Sequence, residues 1–549
     1  MSLRDEIVPL MHGDVSDAPE DLEHFSRDTS IFKRRPSLVV SPKDAADLSS
    51  LVRFVHEARS HGKDISVTGR SAGTDMTGGP LTDSIVVSFT KYMNRMIEIG
   101  SDYAVAEPGL YYRDFEKATR EKIGMILPSY PASRELCAIG GIVSNNSGGE
   151  LTLQFGKTER YVRELEVILS DGSKAVLRPL NRAELAAKES EKSLEGSIYR
   201  EMHALIESNK AVIEAAKPKV SKNSSGYALW SVYDPVADTF DLSKVIVGSQ
   251  GTLALVTKAK LGLMRRKEHR AMLVVFLKNL SVLPEVVHRI LKHDPESFES
   301  YDNHTFTLAV RFIPQLIKHL GFLKATLLGL SFIPEVLMVL TGGVPRLVLM
   351  AEFSEDSPGA ARDRAREARH SITGLPVQTR FAFGNIDREK YWRIRHEGFN
   401  ILRKTLPGLY AAPFIDDCVV DPDTYPKFLP ELEALMTSHP FTFAIQGHVG
   451  NGNFHIFPLV DMTREAVHKE IIALNKQVYA LVLRYGGSIT GEHNDGIIRT
   501  PYVKQMFGPE MYALFEKTKR IFDPLDIFNP GKKVGGTIAD IERFMMRSS

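Results

Sequence analysis

Three observations predict an α+β protein built in two parts. Its 549 residues exceed what a single hydrophobic core normally holds. Residues 34–265 carry three dense glycine clusters set among short strand-like runs. From residue 266 onward, strand patterns such as 269–277 mix with helical stretches, as in an antiparallel sheet covered by helices.

The elements follow in order. Residues 1–33 are expected to form a helical lead-in. Ser37 to Val40 reads as a strand, and Ser41 is expected to cap a helix with Pro42 at its first position. Leu48, Leu51, Val52 and Val55 give that helix its apolar face. Ile65 to Val67 is a buried strand entering the first glycine cluster, Thr68 to Gly79. The amides and hydroxyls of such a loop can surround a diphosphate, or simply turn the chain. It lacks both the G-x-G-x-x-G spacing of a dinucleotide fingerprint and the Gly-Lys-Ser/Thr of a Walker loop. A strand at Ile85 to Val87 and a helix from Asp114 to about Lys122 lead to the second cluster, Ile139 to Gly149. Val162 to Leu177 reads as a hairpin turning at Asp171-Gly172. The third cluster is Val247 to Thr257. Beyond residue 265, strands are expected at His269 to Leu277, near Arg346 to Ala351 and near Thr379 to Phe383.

Composition narrows the partners. A hydrophobic fraction of 43% and a charged fraction of 25% are those of an ordinary soluble globular protein. A net charge of +1 argues against nucleic acid. Two cysteines, Cys137 and Cys418, exclude a disulfide framework and a protein-bound iron–sulfur cluster. The first residues lack the apolar run of a signal peptide. Phe322 to Leu340 approaches bilayer-spanning length, but Lys324, Pro334 and Glu335 interrupt it. We read it as core or cap helices broken at Pro334, with membrane-surface docking as the lesser alternative.

The chemistry concentrates near the C-terminus, in Gly447 to His455 and Gly491 to Gly496. His448, His455 and Glu492 form a donor set that can hold a divalent metal with one position open. His493, directly after the glutamate, can handle a proton. The same histidines also suit ordinary hydrogen-bonding roles.

The three glycine clusters, in this order and at these separations, resemble the FAD-binding domain of the vanillyl-alcohol oxidase/p-cresol methylhydroxylase flavoprotein superfamily. The resemblance implies a two-part FAD-binding domain over 34–265. It implies cofactor contacts at Arg70, Ser71, Gly73, Thr74, Asp75, Thr77 and Gly78 in the first loop. Pro128, Gly140, Gly141, Ser144, Asn145, Gly148 and Gly149 follow from the second segment, and Gly251, Thr252 and Val256 from the third. Some members attach flavin through a histidine in the first loop; none stands between Arg70 and Pro80, so FAD is expected to be non-covalent.

The helix bearing Trp392 to Arg395, the acidic strand around Asp416-Asp417, the Gly447–His455 motif and the Phe522–Lys532 tail resemble the FAD-linked D-lactate, glycolate and D-2-hydroxyglutarate dehydrogenases. That likeness implies an α+β substrate (cap) domain over 266–480. A segment over 481–549 would return to the flavin and bring Asn529 to it. Arg395 would grip a substrate carboxylate and His493 would act as base. His448, His455 and Glu492 would hold a metal, zinc or manganese, that polarises the hydroxyl. Two departures stand beside the site: Asn451 replaces the usual Asp, and Asn494-Asp495-Gly496 replaces the usual Gly, placing a further carboxylate near the chemistry.

The expected activity is FAD-dependent oxidation of a D-2-hydroxy acid, with electrons passing to a quinone, cytochrome or electron-transfer flavoprotein. A flavoprotein alcohol or sugar oxidase using oxygen, a metal-dependent hydrolase and a non-catalytic flavin-binding protein are the alternatives. A cytoplasmic location completes the expectation, with peripheral membrane contact and a homodimer as options beside it.

Overall fold

Strand β1 (Asp14–Ser16) lies antiparallel on β2 (Leu38–Ser41), which pairs in parallel with β4 (Ile85–Ser88), itself parallel to β3 (Val67–Arg70). Both β2 and β4 are buried at every position, as expected of parallel strands covered on both faces. The lead-in is therefore not helical throughout: besides helices Leu3–Ile7 and Pro19–His24 it supplies the sheet's edge strand β1. The structure is a computed structural model and describes residues 2–303, 343–405 and 408–547. The Phe322–Leu340 stretch lies outside the described residues.

The helix after β2 runs over Ala45–Ser60, and its cap is Asp44 rather than Ser41. The Asp44 carboxylate accepts from the amides of Ala46 and Asp47 at 2.8 and 3.1 Å, while Ser41 still belongs to the strand. Strand β3 also begins two residues later than its apolar run suggested, so that it carries Gly69 and Arg70 into the first loop.

A second, antiparallel sheet has the order β5-β6-β11-β7-β8. Its strands are β5 (Met96–Ile99), β6 (Tyr103–Ala106), β7 (Val162–Ile168), β8 (Lys174–Leu177) and β11 (Leu255–Gly262). A small ribbon, β9 (Tyr233–Asp234) with β10 (Thr239–Phe240), lies outside it. The β7–β8 hairpin turns where the Asp171-Gly172 pair marks it, Gly172 having φ 79°. The two sheets have separate apolar cores, which gives the first domain its two-part character.

The second domain is an antiparallel sheet of order β15-β12-β14-β13-β18-β19-β16, with β17 paired to β19. It comprises β12 (His269–Leu277), β13 (Ser297–Asp302), β14 (Leu347–Glu355), β15 (Gln378–Ala382), β16 (Tyr410–Ala411), β17 (Cys418–Val419), β18 (Thr442–His448) and β19 (Asn453–Val460). Beyond it, the helical stretch Gly496–Phe522, broken at Gly508 with φ 79°, turns back onto the first domain, where Val503, Met511, Phe515 and Phe522 enter the core of the second sheet. Asn529 NH then bonds the carbonyl of Val67 at 2.9 Å, attaching the tail beside the first glycine loop.

Candidate active site

The histidine motif forms a hairpin. β18 ends at His448, a single turn spans Val449–Asn451, and β19 begins at Asn453. Gly452 makes the reversal with φ 70°, and a Cβ there would lie 1.7 Å from the Val420 carbonyl oxygen, so no other residue fits. Gln446 faces His455 across the pair, so Gln446, His448 and His455 share one face of the sheet. Tyr301 on β13 pairs with Gln446, which puts Glu299 on that face too, opposite His448.

Carboxylates behind the rings orient them. His448 Nδ1 is 2.6 Å from Glu299 Oε1, and His455 Nδ1 is 2.8 Å from Asp416 Oδ1. Their Nε2 atoms both lie 3.3 Å from Glu492 Oε1. His493 Nε2 is 3.8 Å from the same oxygen, and its ring stacks on His455 with centroids 5.0 Å apart. His493 Nδ1 sits 2.7 Å from Asp416 Oδ2, close enough for strong charge coupling but off the line of a hydrogen bond. Imidazoles held from behind by carboxylates with their other nitrogens converging are the usual arrangement of a metal site, so the donor set fits a divalent ion.

Among the described residues, donor atoms of Asp417, His455, Glu492 and His493 lie within 4.8 Å of one another, with Asp417 in place of His448. The Asp417 carboxylate is already committed. It accepts from Thr490 Oγ1 at 2.6 Å, Glu492 NH at 2.8 Å, His493 NH at 2.7 Å and Asn453 Nδ2 at 2.9 Å. Asp417 thus builds the turn that presents Glu492 and His493, and His448 is the better third donor.

Charge follows this geometry. Burial pulls the His455 pKa down, but Asp416 and Glu492 outweigh it and push it up to about 10. Burial opposes the His493 imidazolium as well; Asp416 and Asp417 overcome it and raise its pKa. Burial would raise the Glu492 carboxyl, yet Lys222 and His448 hold it well below the carboxylate range.

Arg395, on helix Asn385–Thr405, reaches the same place. Its Nη1 donates to Gln446 Oε1 at 2.7 Å and its Nη2 lies 3.3 Å from Glu299 Oε2, while Nε has no partner among the described residues.

A cavity of 410 Å³ joins this cluster to the glycine loops. Ser71, Gly73, Thr74, Asp75, Gly140, Gly141, Ser144, Asn145, Gly148, Gly251 and Val256 line it, together with Arg395, His448, His455, Glu492 and His493. The amides of Ala72, Gly73 and Thr74 carry no hydrogen bond among the described residues, so donors for a diphosphate stand free at the wall. Gly140 packs so closely that a Cβ would come within 2.7 Å of Ser71 Oγ.

Arg70, Thr77, Gly78, Pro128, Gly149, Thr252 and Asn529 stand behind the wall rather than in it. Arg70 turns away to the carbonyls of Arg27 and Phe25, at 2.7 and 3.3 Å. Thr77 and Gly79 amides hold Asp75, whose other oxygen accepts from Asn145 Nδ2 at 2.9 Å. Asn529 Nδ2 spans the carbonyls of Gly79 and Gln250 at 3.0 and 2.7 Å, tying the first loop to the third.

Two departures acquire reasons. Asn494 has φ 73°, a left-handed conformation that Asn tolerates where glycine is usual. Its side chain also bonds the Gly248 carbonyl at 2.8 Å and Lys533 Nζ at 2.7 Å. Asp495 does not add a carboxylate to the site, because it pairs with Lys533 inside the protein. Asn451 is buried in the hairpin turn outside the cavity, and its carbonyl accepts from Ser221 Oγ at 2.6 Å.

Sequence reasoning missed Glu299, Gln446 and Lys222. The first two follow from strand alternation once the register is known. The polar run Ser221-Lys222-Asn223-Ser224-Ser225-Gly226 was the available signal for the third.

Fold and site together define a flavoprotein. The model of the FAD binding domain matches residues 36–177, and that of the C-terminal domain of FAD linked oxidases matches 266–533. The chain belongs to the FAD-linked oxidoreductase family built from these two domains. These matches favour flavin chemistry over the metal-dependent hydrolase.

Among its relatives, D-2-hydroxyglutarate dehydrogenase of Pseudomonas putida is 25% identical over 514 residues, covering 92% of this chain and 49% of the relative. The chain thus spans about half the length of that enzyme. D-lactate dehydrogenase of Archaeoglobus fulgidus is 24% identical over 94% of this chain and 96% of its own. A glycolate oxidase subunit of Bacillus subtilis is 24% identical over 92% and 90%. Among solved structures, 4-ethylphenol oxidase from Gulosibacter chungangensis superposes with a TM-score of 0.67 at 16% identity, covering 96% of this chain and 95% of that one. It shares the fold. Among the described residues no helix is long and apolar enough to cross a membrane.

Proposed function

We propose that the protein oxidises a small D-2-hydroxy acid to the 2-oxo acid and passes the electrons to a separate acceptor. The carrying observation is the convergence of His448, His455 and His493 on Glu492 Oε1 in the cavity that the glycine loops line. The domain matches and the dehydrogenase relatives point the same way.

FAD, when bound along Ser71–Asp75 and Gly140–Asn145, supplies the acceptor for the α-hydrogen as hydride. A divalent ion, when held by His448, His455 and Glu492, supplies a Lewis acid for the substrate hydroxyl. Arg395 orients the acid by its carboxylate, using the unpartnered Nε and the outer guanidinium protons. His493 Nε2 takes the hydroxyl proton, and Asp416 stabilises the imidazolium that results. Buried Phe457 gives the cavity part of its apolar wall.

The acceptor in this reading is a quinone, a cytochrome or an electron-transfer flavoprotein. This reading places the protein in the cytoplasm. Anaerobic mixing with a panel of D- and L-2-hydroxy acids tests the activity: D-acids should bleach the flavin absorbance, and bleaching by none would reject it. Peroxide formed under air would instead identify an oxidase. Chelation followed by metal add-back tests the ion separately.

A further inference from the structure

Lys222 lies outside every motif read from the sequence, yet its side chain is fully buried against Glu492. Its Nζ is 3.2 Å from Glu492 Oε2 and 3.4 Å from Asn453 Oδ1. The three imidazole Nε2 atoms all gather around the other oxygen, Oε1. The carboxylate is therefore divided, one oxygen toward an ammonium and one toward the metal donors. Both ends of this arrangement are fixed. Asn453 Nδ2 is held by Asp417 Oδ1 at 2.9 Å, and neighbouring Ser221 Oγ bonds the Asn451 carbonyl at 2.6 Å. Lys157 Nζ ties Asn223 to Gly491, bonding their carbonyls at 2.7 and 2.6 Å.

We infer that Lys222 is a positioning residue that makes Glu492 a one-oxygen ligand and so keeps a metal position open for substrate. This rests on the metal reading proposed above. A carboxylate with both oxygens free can chelate an ion and fill its coordination shell. An ammonium on Oε2 prevents that. It also offsets part of the carboxylate charge, so an ion held here with two neutral imidazoles would keep more of its strength as a Lewis acid.

The test compares FAD-loaded wild type, Lys222→Met and Lys222→Arg after loading with cobalt(II). Cobalt K-edge X-ray absorption reads the coordination number, and chelator competition reads affinity. The wild type should be four-coordinate. Lys222→Met should gain about one ligand and bind cobalt at least as tightly, while kcat falls roughly 10–100-fold, the usual cost of losing an outer-shell partner. Lys222→Arg should keep the wild-type coordination number. If Lys222→Met does not fold, Lys222→Ala carries the same expectation. An unchanged coordination number in the charge-deleted variant overturns the inference. So does cobalt binding weakened more than tenfold, which a merely structural lysine would give. A wild type that takes up no cobalt overturns the inference and the metal site together. Flavin bleaching by 2-hydroxy acids in the same preparation separates that result from failure of the dehydrogenase reading.

Discussion

Asp495 and Lys533 form an ion pair at 2.8 Å with both side chains wholly buried. Ser225 Oγ and the Gly226 amide also donate to Asp495, at 2.7 and 2.9 Å, and Lys533 donates to the Ser224 carbonyl at 2.9 Å. The pair thus fastens the tail and the segment after Glu492 to the 221–226 loop beneath the site. Removing one partner strands the other charge, so Asp495→Asn or Lys533→Met should each cost about 3–5 kcal/mol. Urea unfolding should show this, and the double variant should cost less than the two losses added.

Asp416 offers a prediction on activity rather than stability. One carboxylate serves two rings, His455 and His493, and Arg499 holds its backbone through the Asp416 carbonyl. Asp416→Asn should lower kcat about 10–100-fold and weaken metal binding, as outer-shell changes do. Flavin content should not change, because Asp416 does not line the cavity that the glycine loops border. An unaltered kcat, or a fall in activity that merely tracks loss of flavin, would count against this role.

Lys532 makes stability depend on pH. It is buried with its Nζ on the Leu81 carbonyl at 2.8 Å and Asn529 Oδ1 at 3.1 Å. Burial, aided by the Arg34 charge, pushes its pKa down to about 7. Between pH 7 and about 10 the unfolded chain then holds a proton that the folded chain has lost, so unfolding free energy rises with pH. The gain is at most about 5 kcal/mol, from about 7 to the ordinary value of ~10.4. Melting temperatures at pH 7 and 9.5 should differ less in Lys532→Met than in wild type.

The parts of this protein legible in sequence were those with local signals. The strand His269–Leu277 falls where its run of apolar residues placed it, and Asp171-Gly172 marked its hairpin. The three glycine clusters do meet around one cavity, but their members divide between wall and support: Asp75 lines it, while Asn529 and Arg70 brace the loops. That division depends on which way each side chain turns, which spacing does not encode. Glu299 and Gln446 were not legible because they reach the site through strand register; the polar 221–226 run marks Lys222, but its meeting with Glu492 from the other domain is not a local signal. Asp495 was misplaced by its neighbours: one residue beyond Asn494, the left-handed turn directs the carboxylate inward to Lys533.

Arg395 gives the sharpest test of substrate orientation. Its Nη1 is steadied by Gln446 and its Nη2 by Glu299, which leaves Nε and the remaining guanidinium protons for an incoming carboxylate. Lysine keeps the charge but loses the planar fork, and it cannot satisfy Gln446, Glu299 and a carboxylate from the same geometry. A charge-assisted hydrogen bond contributes about 1.5–3 kcal/mol, so Arg395→Lys should raise KM for the hydroxy acid roughly 10–100-fold. Arg395→Met should raise it further and leave Glu299 without its guanidinium partner. Steady-state kinetics with an artificial electron acceptor would read both, with flavin content as the control for folding. A KM within twofold of wild type in Arg395→Lys would assign the carboxylate to another group.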